Sequence, residues 1–326
     1  MVSIQLVKQS NALVASLPKG LVAVFIGATS GIGESTLQHL AQHAESPRIY
    51  SIARPQTAAS HETFLASLRA NTYPDASYTI LPADHALVSD IDTAMETILQ
   101  KETKVDILFL SAGFIAFEGR RNTIEGLDPS MSTRYYTRLR AVQRLLPLLN
   151  NAPRPRVISV LAAGLEGPMV DEDDLDLRRP GNWGFWPASV QATTMGTLAL
   201  EVLARENPGV SFVHSMPGMV ATPGLERARR FGAGGATGEM SVEEAGARGL
   251  FLATSDLYDS QEREGVVRVP GGVECVKKSS GGIFLVGPQG ERVDNEEVLG
   301  DMRERGLDEK VWKFTREMFD DCLERK

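Results

Sequence analysis

Residues 21–33, LVAVFIGATSGIG, contain the first strand-to-helix turn that the sequence predicts. Residues 21–26 are a continuous apolar run, which is typical of a parallel strand covered on both faces. Residues 31–43 have a helical pattern, so the glycines lie between strand and helix. Glycine lets the backbone approach a pyrophosphate, and a helix N-terminus supplies N–H donors. The turn therefore predicts a nucleotide site, with an ordinary glycine turn as the alternative.

Short apolar runs and helical patterns alternate on both sides of this turn. Further strands are predicted at residues 48–53, 78–82, 105–110, 156–161, 210–215 and 282–287. Further helices are predicted at residues 62–70, 91–101, 130–149, 189–205 and 307–324. Ser3 is expected to cap an earlier short helix in which Leu6, Leu13 and Leu17 share a face. The alternation predicts an α/β fold of the Rossmann type, a doubly wound parallel sheet of about seven strands with helices on both faces.

Three segments interrupt the alternation. Residues 165–187 are acidic and then aromatic, residues 223–241 are basic and then glycine-rich, and residues 258–326 form a C-terminal extension. We expect the first two to be lids over a site, and the acidic residues 171–174 to be a solvated loop. Because no linker-like stretch precedes the extension, we expect residues 1–326 to form a single domain.

Composition excludes several functional classes. The chain has 326 residues and a net charge of -8, so general binding to nucleic acid is disfavoured by charge repulsion. Its two cysteines provide neither a disulfide framework nor a metal site. No apolar run approaches the roughly 18 residues of a membrane span, and no signal-peptide core is present. We therefore expect a cytoplasmic protein without a membrane span and without a metal.

The spacing Gly-x3-Gly-x-Gly resembles that of the short-chain dehydrogenase/reductase family. Asp84 matches the family residue that contacts adenine, SAG at 111–113 ends the fourth strand, and PGMVAT at 217–222 follows the sixth. The resemblance covers roughly residues 20–255 in matching order. It implies cofactor contacts from Gly27, Thr29, Ser30, Gly31, Ile32, Gly33, Asp84, Ser111, Ala112, Gly113, Pro217, Gly218, Val220 and Thr222.

Arg54 follows the second strand directly. An arginine at this position can pair with the 2′-phosphate of NADP, whereas an acidic residue would suit the ribose hydroxyls of NAD. We therefore expect NADP(H) rather than NAD(H), with a solvated surface arginine as the alternative.

The catalytic set of the resembled family is missing. That family uses Tyr-x3-Lys, but the matching positions here hold Ser189 and Thr193. No tyrosine occurs at 137–257 and no lysine at 105–276, so a shifted register cannot restore the pair. The family serine is replaced by Ala162, or by Leu161 if the turn is one residue shorter. Phenol titrates near pH 10, and an aliphatic hydroxyl is a far weaker acid.

Arg134 lies at the position where the resembled family has an asparagine that supports a water-linked proton relay. It is the candidate electrophile, because a guanidinium is charged and presents several donors. Arg138 lies one turn further on and can share its face. Ser189 and Thr193 are expected to be pocket wall or hydrogen-bond donors. The alternatives are a purely structural Arg134, and a phenol supplied by Tyr135 or Tyr136.

The sequence is compatible with three functions. The first is an NADP(H)-dependent oxidoreductase with displaced proton chemistry. Trp183, Phe185 and Trp186 suggest a small-molecule substrate that is hydrophobic and natural-product-like, of the polyketide or terpenoid kind. The second is an isomerase, cyclase or pericyclase without net redox, and the third is a non-catalytic nucleotide-binding protein. The pattern resembles reductase-like proteins of fungal secondary-metabolite pathways. Family resemblance also implies a homo-oligomer, although the extension could cover one such surface.

Overall fold

The computed structural model describes residues 1–114, 116–231, 238–259, 267–269 and 275–325. Within these residues seven parallel strands form one sheet in the order β3-β2-β1-β4-β5-β6-β7. They are β1 (Val22–Ile26), β2 (Arg48–Ala53), β3 (Ser77–Pro82), β4 (Ile107–Leu110), β5 (Arg156–Val160), β6 (Ser211–Ser215) and β7 (Phe284–Val286). All the predicted strands are confirmed, with ends within two residues of those expected. The order reverses between β1 and β4, which creates a crevice at their carboxyl ends.

Helices cover both faces of the sheet, as predicted. They are α1 (Ile4–Ala12), α2 (Gly31–His43), α3 (Pro55–Asn71), α4 (Val88–Lys101), α5 (Pro129–Met131), α6 (Thr137–Asn150), α7 (Phe185–Glu206), α8 (Pro223–Arg229), α9 (Val242–Thr254), α10 (Glu296–Glu304) and α11 (Leu307–Glu324). One hydrophobic core lies between the sheet and α1, α2, α3 and α9. The other lies between the sheet and α4, α6, α7, α10 and α11. The strands β1, β4 and β7 are fully buried, in keeping with their continuous apolar sequences, whereas the edge strand β3 is only partly buried.

Several helices differ from the expectation. The helix predicted at 62–70 begins seven residues earlier, at Pro55, because proline is well suited to the first turn of a helix. The helix predicted at 130–149 is interrupted by a π-helical turn, Ser132–Tyr136. The sequence patterns did not predict α8, α9 or α10. The expected shared face of the first helix is wrong, since α1 ends at Ala12 and Leu13 is 45% exposed.

The C-terminal extension packs onto the helices that carry the candidate site. Tyr135 of the π-helical turn lies within hydrogen-bond distance of Thr315 on α11. The guanidinium of Arg140 lies 5.5 Å from the centre of the Phe319 ring. On α10, Arg303 donates two hydrogen bonds of 3.1 Å to the buried carboxylate of Glu201 on α7. The extension therefore holds the side of α6 and α7 that faces away from the sheet. None of the helices described combines the length and apolar composition that crossing a membrane requires.

Candidate active and nucleotide site

The glycine turn packs directly against the end of β4. A Cβ atom on Gly27 would lie 2.2 Å from the backbone nitrogen of Ala112, and Gly27 has a φ of +103°. Ser111 closes the same contact, because its hydroxyl donates to the carbonyl of Gly27 at 3.1 Å. Gly31 has a φ of +64°, and a Cβ there would meet the methyl group of Thr222 at 3.1 Å. The structure thus brings together the predicted cofactor segments after β1, β4 and β6.

The N-terminus of α2 opens from this turn. Ser30 is its N-cap and makes no side-chain capping bond. The backbone N–H groups of the first turn have no partner within the helix and point out of its N-terminal end. On the side of α9, Ile32 and Pro217 line an apolar cleft with Val160 and Met240. Val220 forms a β-bridge with Met240, which fixes the segment after β6. The turn and the cleft therefore offer amide donors beside an apolar wall.

Arg54 and Asp84 lie at the ends of β2 and β3. Arg54 is exposed at the N-cap of α3, and no ion pair or side-chain hydrogen bond engages it within the described chain. Asp84 is half-buried and accepts a hydrogen bond from the backbone nitrogen of Ala86 at 2.9 Å. Asp84 therefore stabilises its own turn, while the exposed Arg54 side chain has no carboxylate partner among the described residues.

Arg134 lies in the π-helical turn, which is a common place for functional residues. Its side chain is buried, and its stem packs 3.2 Å from the Cβ position of Gly113. Burial lowers the pKa of Arg134 to about 10, and Asp128 opposes this shift. Arg134 Nη1 donates to Ser189 Oγ at 3.0 Å. The structure therefore places two of the three predicted catalytic residues in direct contact.

Arg138 is fully buried behind Arg134. It donates to the carbonyls of Ala112 and Val160, the latter at 2.8 Å, and to Ser159 Oγ at 3.1 Å. Burial, and then the charge of Arg134, lower its pKa to about 9. Through these bonds Arg138 holds the ends of β4 and β5 together. Within the described residues, neither guanidinium forms a carboxylate ion pair, so the region is strongly positive.

Ser189 and Thr193 lie one turn apart on α7. Ser189 Oγ accepts the bond from Arg134 and donates to the carbonyl of Phe185 at 2.8 Å. Thr193 is buried, and its hydroxyl donates to the carbonyl of Ser189 at 2.9 Å. Ser189 is partly exposed and can reach a ligand, whereas Thr193 belongs to the wall behind it.

The tyrosines of the π-helical turn point away from this site. The hydroxyl of Tyr136 donates to Asp176 Oδ1 at 2.9 Å, and that of Tyr135 lies against Thr315. Both rings are fully buried, and burial raises the pKa of both phenols above the usual value. The alternative in which one of them supplies the phenol at the site is therefore wrong for this arrangement.

His214 is a core residue, as expected. Its Nδ1 lies 2.8 Å from Thr197 Oγ1, and the backbone nitrogen of Ala162 donates to Nε2 at 3.3 Å. Burial, and then the charge of Arg138, lower the pKa of His214 to about 3. Thr197 also donates to Glu166, whose pKa is raised by burial. This network ties the loop after β5 to α7 and keeps His214 neutral.

Aromatic rings from three segments meet above the site. Phe117, after β4, stacks on Phe185 at the start of α7 with 5.1 Å between ring centres, and on Phe231 at 4.3 Å. Trp186 is 71% exposed beside Phe185. Trp183 packs against the core and under the guanidinium of Arg120. The sequence patterns did not identify Phe117 or Phe231.

Only part of the two expected lids belongs to the described residues. Gly232, Gly234 and Gly235 lie outside the described residues, whereas Gly238 is described and has a φ of +112°. The acidic loop is less solvated than predicted, because Asp174 is buried and accepts from the backbone nitrogens of Arg178 and Arg179. No cluster of potential metal ligands is found in the part of the chain that the structure describes.

The fold and the glycine turn define an α/β protein of the Rossmann type. The family model for short chain dehydrogenase matches residues 21–168. The NmrA-like family domain-containing oxidoreductase notO of Aspergillus sp. (strain MF297-2) is 59% identical over 98% of this chain and 95% of its own length. The short-chain dehydrogenase/reductase SAT2 of Stachybotrys chartarum (strain CBS 109288 / IBT 7711) is 32% identical over 71% of this chain and 69% of its own length.

A solved structure shows the same fold at low sequence identity. The NADPH-bound carbonyl reductase from chicken fatty liver aligns with a TM-score of 0.56 and 18% identity, over 85% of this chain and 100% of the reductase. Because a short-chain dehydrogenase/reductase is 32% identical over more than two thirds of this chain, the chain belongs to the short-chain dehydrogenase family and is an oxidoreductase of that type.

Replacing Gly33 by alanine tests the close packing of the turn. A Cβ there would lie 2.4 Å from both the carbonyl oxygen of Gly27 and Ser111 Oγ. We expect Gly33→Ala to lower the free energy of unfolding by about 1–3 kcal/mol, the usual cost of overpacking. Thermal and denaturant unfolding without ligand measure this change.

Gly196→Ala is the matched control, because Gly196 is also helical and its Cβ position has no atom within 4 Å. Alanine should stabilise that helix by about 0.5–1 kcal/mol. If Gly33→Ala proved as harmless as Gly196→Ala, the turn would not be packed in this way.

Proposed function

We propose that this chain is an NADP(H)-dependent oxidoreductase in which Arg134 and Ser189 act where the family uses tyrosine and lysine. The contact of 3.0 Å between Arg134 Nη1 and Ser189 Oγ carries the proposal. Its substrate is a small hydrophobic molecule, in keeping with the aromatic rings of Phe117, Phe185 and Phe231 above the site.

The residues around the glycine turn fit a dinucleotide. Gly27 and Gly33 let the turn pack closely on the end of β4, and Gly31 takes a positive φ. The first turn of α2 offers N–H donors to a pyrophosphate. Arg54 has its guanidinium available for a 2′-phosphate, which favours NADP(H) over NAD(H). A bound nicotinamide supplies the hydride. The apolar cleft beside Ile32 and Pro217 is suited to hold a planar ring.

Arg134 and Ser189 supply hydrogen bonds rather than a mobile proton. With a pKa of about 10, Arg134 is charged at neutral pH, and its bond to Ser189 polarises the hydroxyl. A substrate oxygen that gains negative charge can accept from a free N–H of Arg134, or from Ser189 Oγ once its hydroxyl turns away from the Phe185 carbonyl. Arg138 adds positive charge behind them. Such a site suits hydride addition to an activated C=C, because the product is a stabilised enolate that water can protonate. It also suits hydride addition to an iminium ion, because the product is a neutral amine.

An isomerase, cyclase or pericyclase without net redox is the second candidate. The observation that favours it is the lack of a phenol or ammonium group in contact with Ser189 among the described residues. Binding and orientation alone can supply much of the barrier reduction in a ring closure.

Arg134→Ala should lower kcat/KM by about 10²–10³, because it removes a donor aimed at developing charge. Ser189→Ala should lower it by a smaller factor. Activity is measured as NADPH oxidation with hydrophobic enones, ketones and imines, with product identified by mass spectrometry. Tyr135→Phe is the control, since it removes a hydroxyl from the neighbouring residue that faces α11.

The outcomes separate the candidate functions. Product formation with equal NADPH consumption supports the oxidoreductase, whereas conversion without change in the cofactor supports the second candidate. Full activity of Arg134→Ala, or loss of activity in Tyr135→Phe at unchanged stability, would remove the role proposed for Arg134.

Arg54→Ala should weaken NADPH binding and leave NADH binding unchanged. A charge-assisted pair with a phosphate contributes about 1.5–3 kcal/mol, so the expected loss is about tenfold or more. Fluorescence titration of both nucleotides measures this. Equal weakening for both, or no weakening for either, would contradict the assignment of Arg54 to the 2′-phosphate.

A further inference from the structure

Arg134 is one member of a longer hydrogen-bonded chain. The hydroxyl of Ser130 donates to Asp128 Oδ1 at 2.8 Å. Arg134 Nη2 donates to Ser130 Oγ at 3.3 Å, and Arg134 Nη1 donates to Ser189 Oγ at 3.0 Å. Asp128, Ser130 and Arg134 are all buried. A carboxylate, a hydroxyl, a guanidinium and a second hydroxyl thus follow one another from the start of α5 to α7.

Arg134 donates at both ends of its guanidinium, to Ser130 on the side of Asp128 and to Ser189 on the other. Ser130 gives its only hydroxyl proton to Asp128, so its oxygen is left to accept from Arg134. Ser130 also fixes the guanidinium with its backbone, because Arg134 Nε donates to its carbonyl at 3.1 Å. Hydrogen bonds in series polarise one another in a poorly solvated interior. The carboxylate therefore acts on Arg134 through Ser130.

The link to Asp128 matters because Arg134 lies beside a second buried cation. Arg138, on α6, faces it with a like charge, and His214 beyond Arg138 is neutral. From α7 the contacting residue is the uncharged Ser189, and from the loop after β4 it is Gly113. Asp128 is the described carboxylate whose charge favours the protonated guanidinium. Without it, two buried cations would face each other uncompensated.

We propose that Asp128 and Ser130 are positioning residues that keep Arg134 charged and aimed at Ser189. The relevance of this positioning to catalysis rests on the proposed function. The interaction of Asp128 and Ser130 with Arg134 can nevertheless be measured without a substrate. Asp128 also caps α5, accepting from the backbone nitrogens of Ser130 and Met131, so a structural role must be separated from the electrostatic one.

The test is a 13C NMR titration of protein labelled at the arginine ζ carbons, over the alkaline range in which circular dichroism shows it to be folded. The Arg134 resonance is identified by its absence in Arg134→Lys. Asp128→Asn keeps a capping side chain but removes the charge. We expect the Arg134 midpoint to fall by about one pH unit or more, because the carboxylate no longer favours the charged form.

Ser130→Ala removes only the bridging hydroxyl and should shift the midpoint in the same direction by less. Glu125→Gln is the matched control. Glu125 is a buried carboxylate of the same loop that accepts from the backbone nitrogens of Val88 and Ser89, so its loss should leave the midpoint unchanged.

An Arg134 midpoint that is unchanged in Asp128→Asn, or an Arg134 that stays charged in both proteins up to the highest pH at which they are folded, would overturn the proposal. If Asp128→Asn does not fold, an unchanged midpoint in Ser130→Ala does the same. Equal shifts in Glu125→Gln would overturn it as well, since they would reflect general loosening. Failure of the proposed function is a separate result, because it appears as full turnover in Arg134→Ala while these midpoints still shift.

Discussion

Two guanidinium groups buried side by side at the carboxyl ends of β4 and β5 organise the site. Arg138 binds the carbonyls of Ala112 and Val160 and so joins the two strand ends. Arg134, one turn earlier, reaches Ser189 on α7. Burying cations is costly unless polar groups surround them, so the π-helical turn, the loop after β4 and the start of α7 are held where they can donate or accept. The same charges leave the site electropositive.

This arrangement changes what the short-chain dehydrogenase scaffold can do at its site. A phenol beside an ammonium group can give up a proton, whereas a hydroxyl beside a guanidinium offers only polarised hydrogen bonds. In the proposed function, such a site stabilises developing negative charge without supplying a mobile proton. The glycine turn keeps its own packing, in which Gly27 lies against Ala112 and Gly33 against Ser111.

Much of the fold could be predicted from the sequence, because its strands are continuous apolar runs and its first turn requires glycine. The contact between Arg134 and Ser189 could also be anticipated, since family spacing places both at the same pocket. The π-helical turn could not, because its hydrogen bonds depend on how Arg138 reaches Thr133 and Ala112 in three dimensions. For Asp128 the sequence has one signal, since an aspartate directly before Pro129 is typical of an N-cap.

The most direct test of the account is a crystal structure of the complex with NADP+ and a bound ketone or enone inhibitor. The account predicts that the carbonyl oxygen of the inhibitor lies within hydrogen-bond distance of Ser189 Oγ or Arg134 Nη1, beside the nicotinamide ring. An inhibitor oxygen held by another residue, with Arg134 and Ser189 bonded only to protein groups, would contradict it.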